Sequence, residues 1–240
     1  PSERGQGLMR QLIQKAFEVM KNRRVALTVI IPAAPWLFDY YRDLGYTEVF
    51  DYSEETYIRS YETVREENVL IVPSEVLSTK SLYNFFNKKQ RERTCYVLHD
   101  YDNFVTILRD LQISGGQKLA ALNIQNKPIG MIFFYPTGNH IHVKELMYDN
   151  NHTKNLLLQE ATTLSKTEKA VYRTPSTGRG TSPLGMARVL DRDRLIHHWV
   201  STHENSSPNI GKLKEMDTQS LTRLLLGYQN REAYMSLMLD

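Results

Sequence analysis

A glycine-containing turn leads directly into an amphipathic helix and then into an apolar run, and this succession constrains the fold more than any other part of the sequence. After Gly7 the apolar side chains of residues 8–20 recur along one face of a helix. Residues 25–31 are almost continuously apolar, which is typical of a strand buried on both faces. The sequence therefore predicts a helix that ends at residues 22–24 and a buried strand after it.

The residues just before that helix predict an anion-binding turn. Arg4, Gly5, Gln6 and Gly7 lie where the first backbone N–H groups of a helix lack intrahelical partners. These groups and the helix dipole favour an anion, and glycine lets the backbone approach a phosphate without a Cβ in between. Arg4 would add a charge-assisted contact. A plain glycine turn explains the same residues equally well, so this stretch alone leaves both interpretations open.

A short aromatic helix and a longer extended segment come next. Pro32 ends the apolar run, and a helix rich in aromatic side chains is predicted over residues 35–44. Gly45 closes this helix. Residues 46–58 alternate loosely in polarity and predict one or two strands.

Two motifs in this part of the chain have counterparts in a known family. Arg4-Gly5-Gln6-Gly7-Leu8-Met9 is similar to a pyrophosphate-binding loop, and residues 39–46 are similar to a segment that reads Phe-Tyr-x-x-x-Gly-Phe. With these motifs in this order, the chain resembles the GNAT superfamily of N-acetyltransferases. Met9 stands where most members have Gly or Ala, and a larger residue there is typical of the "enhanced intracellular survival" (Eis) branch. Residues 31–34 and 36–38 also resemble that branch.

Later motifs extend the resemblance over most of the chain. Residues 114–116, 144–148 and 185–189 resemble a second, degenerate acetyltransferase-type domain, and residues 234–239 resemble the end of a sterol-carrier-like domain. The implied fold class is α/β (α+β), with acetyltransferase-type mixed sheets flanked by helices in two tandem copies and a C-terminal sterol-carrier-like fragment. The first copy would be incomplete at its N-terminal side. The expected domains cover residues 1–59, 60–184 and 185–240.

Some strands of these domains are not found in the sequence. In this superfamily a strand feeds the pyrophosphate loop, whereas here the chain begins at the loop itself. The strands of a sterol-carrier-like sheet, expected between Ser207 and Gly211, are also missing. Because the chain opens with Pro1 rather than an initiator methionine, we expect it to be part of a longer protein.

The resemblance implies an acetyl-CoA-dependent N-acetyltransferase. Such an enzyme would transfer the acetyl group directly to a primary amine of a small cationic molecule or of a lysine side chain. The residues expected to bind acetyl-CoA are those of the loop and two on the following strand: Arg4, Gly5, Gln6, Gly7, Leu8, Met9, Ile30 and Ile31. The alternative function is a non-catalytic interaction or ligand-binding module that keeps the fold and has lost turnover.

Catalysis would need a group that protonates the leaving thiolate and one that deprotonates the amine. A tyrosine suits the first task because its pKa near about 10 is better matched to a thiol than that of a carboxylic acid. Tyr41 matches the motif of the whole superfamily, and Tyr46 matches the Eis-like branch, so Tyr46 is preferred. The α-carboxylate of Asp240 is the expected base. Packing of both tyrosines and fraying of the chain end are the structural alternatives.

The remaining sequence predicts an open sheet with helices on its faces. The predicted elements are a strand or turn at 69–72, helices at 80–93 and 102–111, strands at 118–124, 129–135 and 140–148, a helix at 153–165, a last strand at 169–173 and a helix at 188–201. Asp102 is the predicted cap of the second of these helices. No glycine loop opens the helix at Thr153, so no acetyl-CoA site is expected there.

Composition and spacing argue against several other classes of protein. The single cysteine, Cys95, allows neither an intramolecular disulfide nor a cysteine zinc site and favours the cytoplasm. The net charge of +3 is too small and scattered for a nucleic-acid surface, and no apolar run is long enough to span a membrane. Adjacent His197 and His198 would point about 100° apart on a helix, so no metal site is expected. Proteins of the kind resembled often form homo-oligomers.

Overall fold

The computed structural model of this 240-residue chain describes residues 6–60, 68–93, 95–176, 181–202, 210–230 and 233–235. These residues fall into two compact units. Unit 1 takes those up to Asp51 and those from Pro183 to Ala233, and unit 2 takes those from Tyr52 to Ser182 together with Tyr234 and Met235. The domains predicted over residues 1–59, 60–184 and 185–240, and their assignment to separate domain types, stay a prediction.

The elements form a mixed α/β architecture, as the sequence predicts. The helices are α1 (Leu8–Asn22), α2 (Pro35–Arg42), α3 (Thr79–Arg91), α4 (Tyr101–Ile113), α5 (Asn151–Leu164), α6 (Arg192–Thr202), α7 (Ile210–Glu215) and α8 (Thr218–Leu225). The strands are β1 (Leu27–Ile30), β2 (Thr47–Ile58), β3 (Val69–Pro73), β4 (Cys95–Tyr96), β5 (Gln117–Asn123), β6 (Pro128–Pro136), β7 (Ile141–Tyr148), β8 (Lys169–Pro175), β9 (Thr181–Val189) and β10 (Ala233–Tyr234).

Helix α1 covers the predicted residues, but most of its apolar face is exposed. Phe17 is its buried side chain, whereas Leu8, Met9, Leu12 and Val19 are exposed. Helical periodicity identifies the apolar face of a helix without determining what covers that face. The helix is therefore anchored to the core of unit 1 mainly through Phe17.

Strand β1 corrects the prediction of a strand buried on both faces. It spans four residues instead of 25–31, and all four are only partly buried. Among the described residues it pairs with β9 alone, antiparallel, with Leu27 opposite Val189. A near-continuous apolar run suits a strand covered on both faces, but the run does not itself supply the covering layers.

Strand β9 corrects two further predictions. The strand predicted at 169–173 is not the last, and the helix predicted at 188–201 begins at Arg192 because Arg188 and Val189 belong to β9. This strand is hard to recognise in the sequence because it contains Ser182, Pro183 and Gly185, and such residues are rare in strands. Its pairing with β1 is a contact between distant parts of the chain that local pattern does not reveal.

The sheet of unit 2 has the strand order β2, β8, β7, β6, β5, β3. Neighbours are antiparallel except β7 and β8, which run parallel. The prediction of one or two strands over 46–58 resolves to the single strand β2, and the strands predicted near β3, β5, β6 and β7 are confirmed within a few residues.

Helices cover both faces of this sheet because consecutive residues of a strand point to opposite sides. On one face Ile132 and Phe134 of β6 pack with Leu157 and other residues of α5. On the other face Phe133 packs with helices α3 and α4, including Phe86 and Phe104. The ring centroids of Phe86 and Phe104 are 4.9 Å apart.

The cap of α4 differs from the predicted one. The helix starts at Tyr101, and the side chain of Asp100 accepts a hydrogen bond from the Asn103 backbone N–H at 2.7 Å. Asp102, the predicted cap, lies inside the first turn. Either aspartate suits a helix start, and the choice depends on which residue leaves the helical backbone conformation first.

Candidate active site

The start of α1 presents backbone N–H groups, and the residue at its N-cap, Gly7, has no side chain to cap them. Gly7 occupies the N-cap with φ of 73°, a left-handed conformation that favours glycine. The first turn, Leu8 to Arg10, contains no acidic residue. A Cβ at Gly7 would meet nothing within 4 Å in the part of the chain that the structure describes. These features fit an anion such as the diphosphate of a nucleotide cofactor.

The other residues predicted for cofactor binding are placed as follows. Gln6, Leu8 and Met9 are exposed beside Gly7, whereas Arg4 and Gly5 lie outside the described residues. Ile30 ends β1 and packs against the core cluster of unit 1, and Ile31 follows it partly buried.

The two candidate tyrosines lie next to each other in the core of unit 1. Gly45, with φ of 83°, reverses the chain after α2. The Tyr46 backbone N–H donates to the Tyr41 carbonyl oxygen at 3.1 Å. The two rings meet edge to face with centroids 5.8 Å apart. Tyr41 is partly buried, and Tyr46 is only 3% exposed.

The Tyr46 hydroxyl has a defined partner in this core. It lies 3.3 Å from Oγ1 of Thr28 on β1, and either atom can donate. Burial raises the pKa of Tyr46, while the Thr28 hydrogen bond and the charge of Arg188 act in the opposite direction. Tyr46 therefore holds its proton at neutral pH, which is the state that a general acid needs.

Arg188 is a neighbour of this cluster that the sequence reasoning missed. Its guanidinium lies over the Phe17 ring, 4.1 Å from the centroid, and donates to the Leu44 carbonyl oxygen. Burial lowers the pKa of Arg188. A Cβ at Gly45 would approach Arg188 Nε to 3.3 Å. No local signal could have found this residue, because β9 reaches the cluster through long-range pairing.

A groove of about 490 Å³ lies between Arg188 and the face of α1 that carries Arg10, Gln14 and Phe17. Arg10 Nη2 lies 3.8 Å from Asp43 Oδ2 in this groove. The lining residues are Arg10, Gln14, Phe17, Glu18, Lys21, Asp43, Leu44, Gly45 and Arg188. Its charges are mixed, so it lacks the uniform potential that would attract one sign of ligand.

The structure thus brings together part of the predicted site. Ile30, Tyr41 and Tyr46 belong to or pack on one cluster. Asp240 and the glycine-rich segment 178–180 lie outside the described residues. In the part of the chain that the structure describes, no three His, Cys, Asp or Glu side chains form a group that could hold a metal ion. The helices in that part are too short or too polar to cross a membrane.

Comparison with solved structures identifies the fold. A conserved Enterococcus faecalis protein described as a "probable N-acyltransferase" matches with a TM-score of 0.65 at 17% identity, over 80% of this chain and 52% of that one. A GCN5-related N-acetyltransferase from Anabaena variabilis matches with a TM-score of 0.60 at 14% identity, over 82% and 54%. Eis1 from Mycobacterium abscessus matches with a TM-score of 0.57 at 10% identity, over 82% and 55%.

The chain therefore has the fold of GCN5-related N-acetyltransferases and spans about half the length of these structures. No family model matches the sequence, and no curated protein matches it. The sterol-carrier-like assignment of residues 185–240 stays a prediction.

Proposed function

We propose that this chain belongs to an acetyl-CoA-dependent N-acetyltransferase of the Eis type. The acceptor would be a primary amine of a small cationic molecule or of a lysine side chain. The observation that carries the proposal is the start of α1, where Gly7 at the N-cap supplies no capping side chain, within a fold shared with GCN5-related N-acetyltransferases. That fold by itself supports acyl transfer in general, and the acetyl group and the amine are the finer parts of the proposal.

The start of α1 would hold the diphosphate of acetyl-CoA. The first-turn N–H groups of Leu8 and Met9 have no partner within the helix, and Gly7 in its αL conformation brings no side chain between them and a ligand. Arg4, Gly5 and Gln6 would extend the contact, and Ile30 and Ile31 would line the pantetheine arm. When bound, acetyl-CoA supplies the activated acyl group as a thioester.

Tyr46 is the proposed general acid, with Tyr41 as its alternative. Tyr46 would give its proton to the departing sulfur, because burial keeps it protonated. The amine must reach the site without its extra proton, and the α-carboxylate of Asp240 is the proposed base. Direct transfer needs no covalent intermediate on the protein, so no nucleophilic side chain is required.

Calorimetry and a thiol assay on the chain test this proposal together. Acetyl-CoA titrated into the protein should bind, and free CoA should appear when an amine from a panel of cationic acceptors is added. No detectable binding at millimolar acetyl-CoA would contradict the proposal.

A second candidate, a non-catalytic module that binds a ligand or partner, is favoured by the burial of Tyr46. A side chain that is 3% exposed and packed against Phe17 and Tyr41 serves the core whether or not it also donates a proton. Binding of acetyl-CoA without CoA release across the amine panel would favour this candidate.

A further inference from the structure

Strands β7 and β8 of unit 2 separate after a short stretch of parallel pairing. The paired residues run from Ile141 opposite Ala170 to Val143 opposite Tyr172. A register shift between β6 and β7 follows at once, since Phe134 faces Val143 and Phe133 faces Glu145. Beyond this bulge β7 stays with β6, and β8 stays with β2. A crevice at the carboxyl ends of parallel strands is a common place for a ligand in α/β sheets.

A cavity of about 190 Å³ lies at this separation. Its walls come from the ends of the two strands and from the C-terminal end of α3. The lining residues are Lys89, Glu92, Arg93, Leu146, Met147, Tyr148, Tyr172, Arg173, Thr174 and Pro175. Pockets for drug-sized ligands measure roughly 300–1,000 Å³, so this one suits a more compact molecule.

Three cationic side chains line the cavity, and two of them have carboxylate partners. Lys89 forms an ion pair with Glu92 and lies 3.4 Å from Asp149. Arg93 Nη2 lies 3.7 Å from Oε1 of Glu145, a carboxylate whose side chain is only 4% exposed. These charges largely balance within the protein.

Arg173 differs because no residue that the structure describes forms an ion pair with it. Its guanidinium lies over the Tyr52 ring, 4.5 Å from the centroid, and its Nε is buried without a hydrogen-bond partner in that part of the chain. The Tyr234 hydroxyl donates to the Arg173 backbone carbonyl at 3.3 Å, and Arg93 lies over the Tyr234 ring at 4.7 Å. The two guanidinium groups are thus fixed by aromatic rings beside one cavity.

We propose that this cavity binds a compact oxyanion, a small carboxylate or phosphate, whose charge is neutralised by Arg173. Lys89 and Arg93 would assist from the α3 side, and the Thr174 hydroxyl is a further polar group in the wall. A guanidinium suits carboxylate and phosphate oxygens because its N–H groups form a planar fork. This site is separate from the proposed diphosphate site on α1, since every lining residue belongs to unit 2.

Two observations favour a small anion over a nucleotide cofactor in this cavity. Helix α5, which follows β7, has its start capped by Asn150, whose side chain accepts from the Thr153 backbone N–H at 2.8 Å. That amide is therefore engaged within the protein and not free for a diphosphate. The size of the cavity and this cap both favour a small anion over CoA.

Titrations with inorganic phosphate, acetate and CoA test the proposal. Phosphate or acetate should bind to the wild-type protein, and Arg173→Gln should weaken that binding about tenfold, the loss expected for a charged hydrogen bond. Arg109→Gln, a change of an exposed arginine on α4, is the matched control and should leave binding unchanged. Absence of binding by both small anions, or equal binding by the Arg173→Gln variant, would overturn the proposal.

Two further variants separate this site from the α1 turn and from loss of folding. Gly7→Ala, which changes the turn proposed for the diphosphate, should leave the part of phosphate and acetate binding that depends on Arg173 unchanged, and loss of all binding in that variant but not in Arg173→Gln would place the anion on α1. If Arg173→Gln fails to fold, Lys89→Gln takes its place as the test variant and should also weaken binding of phosphate and acetate. Unchanged binding in a folded Lys89→Gln variant would then overturn the proposal, as would a CoA affinity that depends on Arg173.

Discussion

The hydroxyl of Tyr46 lies 3.3 Å from Oγ1 of Thr28, inside the core that joins α1, α2 and β1. This contact links the residue after Gly45 to the strand that precedes α2. It gives the buried hydroxyl a hydrogen-bond partner. A polar group buried in the core without such a partner lowers the stability of the fold by about 1–3 kcal/mol. The same hydrogen bond also tempers the rise in the pKa of Tyr46 that burial produces.

Tyr46→Phe is predicted to reduce acetyl transfer about a hundredfold or more while leaving the protein folded. Loss of a general acid has an effect of this size, whereas loss of one hydroxyl in the core costs only about 1 kcal/mol. Turnover and urea unfolding of the variant measure the two effects. Tyr41→Phe should reduce turnover less. The reverse order would assign the acid to Tyr41, and full activity in both variants would exclude an acid role for either.

Thr28→Val is predicted to raise the pKa of Tyr46 further, because it removes the hydrogen bond that lowers that pKa. In the native wild type, Tyr46 should ionise only above about pH 10, the ordinary value for tyrosine. The native state then keeps a proton that the unfolded state loses, so stability falls as pH rises beyond about 10. Carbon NMR of labelled tyrosine follows the ionisation. An unchanged or lower pKa in Thr28→Val would contradict this account.

Gly7→Ala is predicted to weaken acetyl-CoA binding about tenfold. The left-handed φ of 73° costs an alanine roughly 1–2 kcal/mol, so the turn should shift and move its N–H groups. Gly138→Ala is the matched control, since Gly138 has φ of 83° and equally open surroundings in unit 2. Calorimetry should show normal affinity for the control. Equal losses in the two variants would mean that strain alone, and not the α1 turn, explains the effect.

Asp100→Ala is predicted to lower the free energy of unfolding by about 1 kcal/mol, because the Asn103 N–H loses its cap. Asp102→Ala should cost less, about 0.3 kcal/mol, through its interaction with the helix dipole. Urea unfolding of both variants measures the difference. A larger loss for Asp102→Ala would restore the cap predicted from sequence.

Gly130→Ala is predicted to destabilise the protein by about 1–3 kcal/mol through overpacking. A Cβ there would lie 2.7 Å from Thr153 Cγ2 and 2.8 Å from Leu157 Cδ1. Thr153→Ser removes the first of these atoms, so the double variant should recover part of the loss. Purely additive effects in a double-mutant cycle would show that the two sites do not touch.

Local sequence pattern predicted most elements, because periodicity and turn signals depend on residues that are close together in the sequence. The helix over residues 8–22 and the strands near β5 to β7 follow from periodicity and turn residues alone. The pattern failed at β9, where Pro183 and Gly185 resemble a loop, and at β1, where an apolar run carries no information about its neighbours.

The residues of the candidate sites likewise fall into those that the sequence reveals and those that only the structure shows. Gly7, Gly45 and the tyrosine pair could be found from sequence because they depend on helix ends, which a few consecutive residues define. Three contacts could not be found from the sequence: that of Arg188 with Phe17, that of Thr28 with Tyr46, and the position of Arg173 beside the cavity of unit 2.

The amino-acid order by itself thus determined most helices and the strands near β5 to β7 to within a few residues, and which turns are candidates for binding an anion. Tertiary structure alone decided which faces are covered, which hydroxyl is buried, and which charge forms no ion pair among the described residues. The physical reason is that burial and charge pairing depend on segments far apart in the chain, whose meeting is set by the packing of the whole fold.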